Sequence, residues 1–149
     1  MQEIEIISEP SEKAPFLVIN KPSGLPSAPL NADDTENAFY KAAARFPEIL
    51  QVKGRKEIEH GLLHRLDTVT GGLILIAATQ EFYDSIQKQQ EEGEFIKYYT
   101  ALCSYNPENP KFLDNFPPLK FTLDEELPFT LTSYFRGFGK GQKEVRPVT

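Results

Sequence analysis

The chain has 149 residues, 40% of them hydrophobic and 26% charged, enough for one domain with a proper core and too apolar for a disordered polypeptide. Its formal net charge of −6 argues against a general polyanion binder, because such proteins neutralise phosphates with Lys and Arg. No apolar run is long enough to span a bilayer, the acidic start "MQEIEIISEPSEK" lacks the apolar core of a signal peptide, and the single cysteine, Cys103, excludes an internal disulfide; a reducing cytosol fits.

Taken in chain order, "EIEII" (3–7) and "FLVIN" (16–20) predict short strands bounded by Pro-containing turns. "KPSGLPSAPLN" follows as a loop, by its prolines, glycine and serines. "DDTENAFYKAAARF" predicts a helix capped by Asp34 or Thr35, with Phe39, Ala42, Ala43 and Phe46 on its buried face and Pro47 as its stop. "GRKEIEHGLLHRLDTVTGG" has no clean period and reads as a connection. "LILIAA" (73–78) then reads as a strand buried on both faces. A second helix follows in "TQEFYDSIQKQQEEG", capped by Thr79, with Phe82 and Ile86 inward and Gly93 closing it.

"EFIKYYTALCSY" (94–105) alternates as a strand, and the proline-rich "NPENPKFLDNFPPLK" as a surface excursion. "FTLTSYFRGF" and "EVRPV" form two more strands around the hairpin loop "GKGQK". Strands outnumber helices, so a mixed α+β domain with a mainly antiparallel sheet and flanking helices is expected. The charge is bipolar. Lys41, Arg45, Lys53, Arg55, Lys56 and Arg65 make the first half basic, acidity gathers at 91–94 and 124–126, and the tail is basic again. Such a surface leaves room for a local nucleic-acid groove.

Several residues carry chemistry. Asp67 is flanked by His64, Arg65 and a Thr/Gly turn and precedes a buried strand. A nearby Arg65 keeps a carboxylate ionised, and a positioned carboxylate acts as nucleophile or base. An Asp/Thr turn that bonds only its own backbone is the other reading, and chemistry alone leans toward it. Gly71 and Gly72 match neither a Walker A loop nor a dinucleotide fingerprint and suit close packing. Tyr98 and Tyr99 fall on opposite faces of the predicted strand, so one of them is free either to pack in the sheet or to stack on an unpaired base. His60 and His64 are four apart, but Gly61 and the loop-like context argue against a helical metal pair, and no Cys/His cluster has zinc-site spacing. Lys21 in "NKPSG" is either a phosphate contact or a solvated turn lysine. Cys103 reads as a small core residue.

"FLVINKPSGLPSAP", "HRLDTVTGGLILIA" and "FIKYYTALC", in this order and spacing, resemble the RluA-type RNA pseudouridine synthases. The family signature is His-Arg-Leu-Asp, two variable residues, Thr-Ser-Gly and an apolar strand. Here Gly71 stands where serine is usual. The resemblance covers nearly the whole chain. It implies a pseudouridine synthase-like catalytic domain and an isomerase that modifies uridine in rRNA or tRNA without metal or organic cofactor. It assigns Asp67 as the catalytic aspartate, Arg65 as the residue that helps open the RNA and fills the space of the flipped nucleotide, and Tyr99 as the ring that stacks on the extruded uracil. The expected partner is RNA, in the cytoplasm, with no membrane. The resemblance also leads us to expect residues 1–149 to be the N-terminal portion of one catalytic domain, with no separate N-terminal RNA-binding domain. The family's later Gln-Ile-Arg-type strand is not found, and the alternative is a non-catalytic RNA-binding remnant or one half of a split synthase.

Overall fold

The computed structural model describes residues 2–31, 33–102, 134–138, 141 and 144–148. They belong to two compact units, Met1–Tyr98 and Tyr99–Thr149.

The first unit is built on a three-stranded antiparallel sheet, β1 (Glu5–Ser8), β2 (Phe16–Lys21) and β3 (Gly72–Ala77), in the order β1-β2-β3. Alternation sets its faces. Leu17 pairs with Ile76 and Ile19 with Ile74, and all four are fully buried on one face. Helix α1 (Ala38–Ala43) covers that face through Phe39 and Ala42. Each such fully buried apolar side chain contributes roughly 1.5–3 kcal/mol. The α1 cap is Asn37, not Asp34 or Thr35. The Asn37 side chain accepts from the Tyr40 amide at 3.0 Å and donates to the Asp34 carbonyl at 2.8 Å. The Asp34 carboxylate instead accepts from the Leu30 amide at 2.9 Å, so residues 33–36 stay in the loop.

On the other face Phe16, Leu75 and Ala77 meet α2 (Gln80–Glu91) through Phe82, Tyr83 and Ile86, with the Phe16 and Phe82 rings stacked at 5.1 Å. The Thr79 hydroxyl accepts from the Phe82 amide, as its N-cap position predicts, and Gly93 ends the segment at φ 75°. Strand β3 departs from the expectation of burial on both faces: Ile74 and Ile76 are buried, but Leu73 is 57% exposed. The apolar residues of α2 meet the strand only toward its C-terminal end, at Leu75 and Ala77.

The strand predicted from residue 94 does not form over the described residues 94–102. A strand exists only through a ladder with a neighbour, and among the described residues none pairs with this segment. Ile96, Tyr98 and Leu102 are accordingly exposed. Cys103 and the proline-rich segment lie outside the described residues.

In the second unit β4 (Tyr134–Phe138) and β5 (Glu144–Val148) pair antiparallel around the predicted hairpin loop. Pro147, which cannot donate to a ladder, is accommodated in this two-stranded ribbon opposite Phe135. Among the described residues no helix is long and apolar enough to cross a membrane.

Candidate active site

Two loops leave the same end of the sheet, because the last residue of β2, Lys21, pairs with the first of β3, Gly72. One carries "KPSGLPSA" (21–28) and the other "HRLDTVTG" (64–71).

The second loop is anchored before it starts. Residues 61–63 run along the free edge of β3: the Ala77 amide donates to the Gly61 carbonyl at 2.8 Å, Leu62 bridges to Ile76, and the Leu63 amide donates to the Leu75 carbonyl at 3.3 Å. The approach demands glycine at 61, since a Cβ there would lie 2.2 Å from the Ala77 carbonyl oxygen. His64 continues the edge with its side chain. Its Nε2 accepts from the Leu75 amide at 3.2 Å and its ring lies 5.8 Å from that of Phe95. An accepting Nε2 fixes the neutral tautomer with the proton on Nδ1, and that buried atom has no partner among the described residues. Burial, with a smaller contribution from Lys97, pushes the His64 pKa down.

The first loop then grips the second. Buried Ser27 accepts from the Leu66 amide at 3.0 Å and donates to the Leu66 carbonyl at 2.5 Å. The Ser23 hydroxyl donates to the Val69 carbonyl at 2.6 Å, and the Gly24 amide to the Thr68 carbonyl at 2.7 Å. Lys21 is neither a solvated turn lysine nor an exposed phosphate contact. It is fully buried, and its ammonium donates to the carbonyls of Leu25 at 2.7 Å, Pro22 at 3.0 Å and Thr68 at 3.2 Å. Desolvation lowers its pKa, and the negative charge of Asp67 acts in the opposite direction. A buried cation thus sits under the Asp67 loop and ties both loops together.

Above it Asp67 is exposed, at the start of a turn closed by the Thr70 amide on the Asp67 carbonyl at 3.0 Å. Asp67 thus presents an exposed carboxylate from a backbone that both loops hold in place. Arg65 is also exposed, and its Nη1 lies 3.1 Å from Glu59 Oε1. With Arg55, Lys56, Glu59, His64 and Gln87 it lines a cavity of about 280 Å³. Tyr99, the third residue the sequence singles out, opens the second unit and is 64% exposed. Among the described residues no group of His, Cys, Asp and Glu could hold a metal. His60 stacks on Phe39, with centroids 5.8 Å apart.

Sequence reading missed Ser27, Glu59 and the buried role of Lys21. A signal existed for the lysine alone: it shares the parity of Leu17 and Ile19 and therefore their core face.

Known proteins similar to this chain share one family description. The RNA pseudouridylate synthase family matches residues 15–147. The chain is 32% identical over 88 residues to ribosomal large subunit pseudouridine synthase D of Neisseria meningitidis, covering 59% of this chain and 22% of that protein. It is 37% identical over 90 residues to the dual-specificity RNA pseudouridine synthase RluA of Pasteurella multocida, covering 58% and 35%. Identity to the tRNA pseudouridine(31) synthase of Saccharomyces cerevisiae is 29% over 121 residues, covering 80% and 27%. These matches span between 22% and 35% of the relatives' own lengths. With a family match that runs through both loops and both helices, the chain belongs to the RNA pseudouridylate synthases, in their RluA-type branch.

Proposed function

We propose that the protein isomerises specific uridines of rRNA or tRNA to pseudouridine in the cytoplasm, with Asp67 as the catalytic carboxylate. The observation that carries this is the exposed Asp67 on a backbone locked from below by Lys21 and Ser27. A turn aspartate with only a local role needs no such foundation. The relatives' names supply the substrate class. In the reaction the N1–C1′ bond of the nucleotide breaks and a C5–C1′ bond forms. The C5 proton leaves and N1 gains one. A stacked uridine hides the bond to be broken, so the base must be extruded. Arg65 fills the vacated space and Tyr99 stacks on the extruded ring. These two assignments rest on the motif positions. The chain spans a minor share of its relatives' length, and the activity is proposed for the complete protein.

The reaction predicts loss of tritium from the C5 position of uridine in an rRNA or tRNA transcript. Release by the wild type, and none above background by a folded Asp67→Ala protein, is the expected pair of results. Full release by Asp67→Ala would remove Asp67 from the chemistry.

A further inference from the structure

Arg65, given an RNA contact above, is not free in the structure. Its Nη1 is held at 3.1 Å by Glu59 Oε1, and the same oxygen lies 3.4 Å from Lys56 Nζ. The Glu59 side chain is 17% exposed, whereas those of Arg65 and Lys56 are 56% and 64% exposed. The carboxylate is therefore the fixed partner and the two cations are the movable ones.

The backbone accounts for that fixity. Glu59 ends a short 3-10 turn (Glu57–Glu59), and its carbonyl accepts from the Leu62 amide at 2.9 Å. The turn is made by His60 at φ 44°, ψ −128°, a conformation that L residues rarely adopt. Stacking on Phe39 holds the His60 ring, and Gly61 is pressed against Ala77. Strain maintained by surrounding structure in this way is a mark of functional segments. The turn places one anchored negative charge among cations on the wall of a cavity that Arg65 shares.

An RNA phosphate that seeks the Arg65 Nη1 or Lys56 Nζ donors facing Glu59 competes with this carboxylate, and its attraction to both cations is weakened by the negative charge beside them. We propose that Glu59 is an electrostatic brake: it competes with RNA for Arg65 and Lys56, lowers the affinity of the site for RNA and speeds the departure of product. The inference rests on the proposal that Arg65 contacts RNA.

The test is RNA binding by the full chain, read by fluorescence anisotropy with a labelled stem-loop bearing uridines in its loop. Glu59→Gln keeps the side chain's size and removes its charge. It is expected to tighten binding about three- to tenfold at about 50 mM salt. The slope of log affinity against log salt should steepen by about 0.7 to 0.9, the signature of one more effective cation. Both changes should vanish in a Lys56→Gln/Arg65→Gln background. With active enzyme, KM should fall while kcat does not rise.

Equal tightening in the double-glutamine background would show a general charge effect and overturn the brake. Weaker binding by Glu59→Gln would show that the carboxylate organises Arg65 for RNA, and would also overturn it. Glu59→Asp guards against misfolding of the first variant. Its shorter side chain should give a smaller tightening that still depends on Arg65 and Lys56, and no such dependence counts against the proposal. Wild-type protein that binds no RNA would refute the functional reading itself, a failure distinct from the others.

Discussion

Lys21 and His64 are two of the side chains that hold the site's backbone, beside Ser23 and Ser27. Lys21 is the only charged side chain among the described buried residues, and it ends a strand whose other inward residues are Leu17 and Ile19. Replacing it by methionine keeps much of the volume but removes the donor to the Pro22 and Leu25 carbonyls and one of the two donors to the Thr68 carbonyl, which retains the Gly24 amide. We expect Lys21→Met to cost about 2–4 kcal/mol, measured by chemical denaturation. His64 makes a pH prediction. Its folded pKa is depressed below the ordinary 6.5, so above that pH both states are neutral and stability is unaffected. As pH falls below 6.5 the unfolded chain takes up a proton that the folded chain refuses, and stability is lost. A protonated Nε2 would also face the Leu75 amide, donor against donor. The loss of thermal midpoint between pH 7.5 and about 5.5 should shrink in His64→Gln, whose amide oxygen can still accept from Leu75.

At the level of elements, the decisive contact is between the β3 edge and the segment that enters the site loop. Gly61→Ala places a methyl group against the Ala77 carbonyl at 2.2 Å. Because backbone stands on both sides, no flexible side chain can yield, and the edge pairing must part. A loss of about 3 kcal/mol or more in unfolding free energy is expected, with the site loop as the first region to gain hydrogen exchange. Gly71 is the opposite case. A Cβ there would meet the Lys21 carbonyl and the Ser23 amide at 3.4 Å, an ordinary contact. Gly71→Ser, which restores the usual family residue, should therefore fit, and raise stability by about 0.5 kcal/mol by restricting the unfolded chain. Destabilisation by more than about 1 kcal/mol would show that the loops need the bare glycine.

Over the molecule as a whole, what was legible in the sequence is what depends on local periodicity. Strands β1 and β2, helix α2 with its Thr79 cap, and the terminal hairpin follow from alternation, 3.6-residue spacing and turn chemistry. What failed depends on partners distant in sequence. The α1 cap moved to Asn37 because Asp34 had a competing acceptor role at Leu30. The segment from residue 94 alternates well, but a strand needs a ladder that composition cannot supply. At the site, the resemblance of "HRLD" and "NKPSG" to one family singled out two loops that the fold brings together, while the grip of Ser27 on Leu66 and the Glu59–Arg65 pair joined residues too far apart, or too ordinary in type, to be read in advance. The catalytic role proposed for Asp67 is tested by Asp67→Asn, which keeps the side chain's shape and removes its charge. With the circular dichroism spectrum unchanged, pseudouridine formation, read as tritium released from C5-labelled rRNA or tRNA, is expected to fall to background. Wild-type release by a folded Asp67→Asn protein would contradict it.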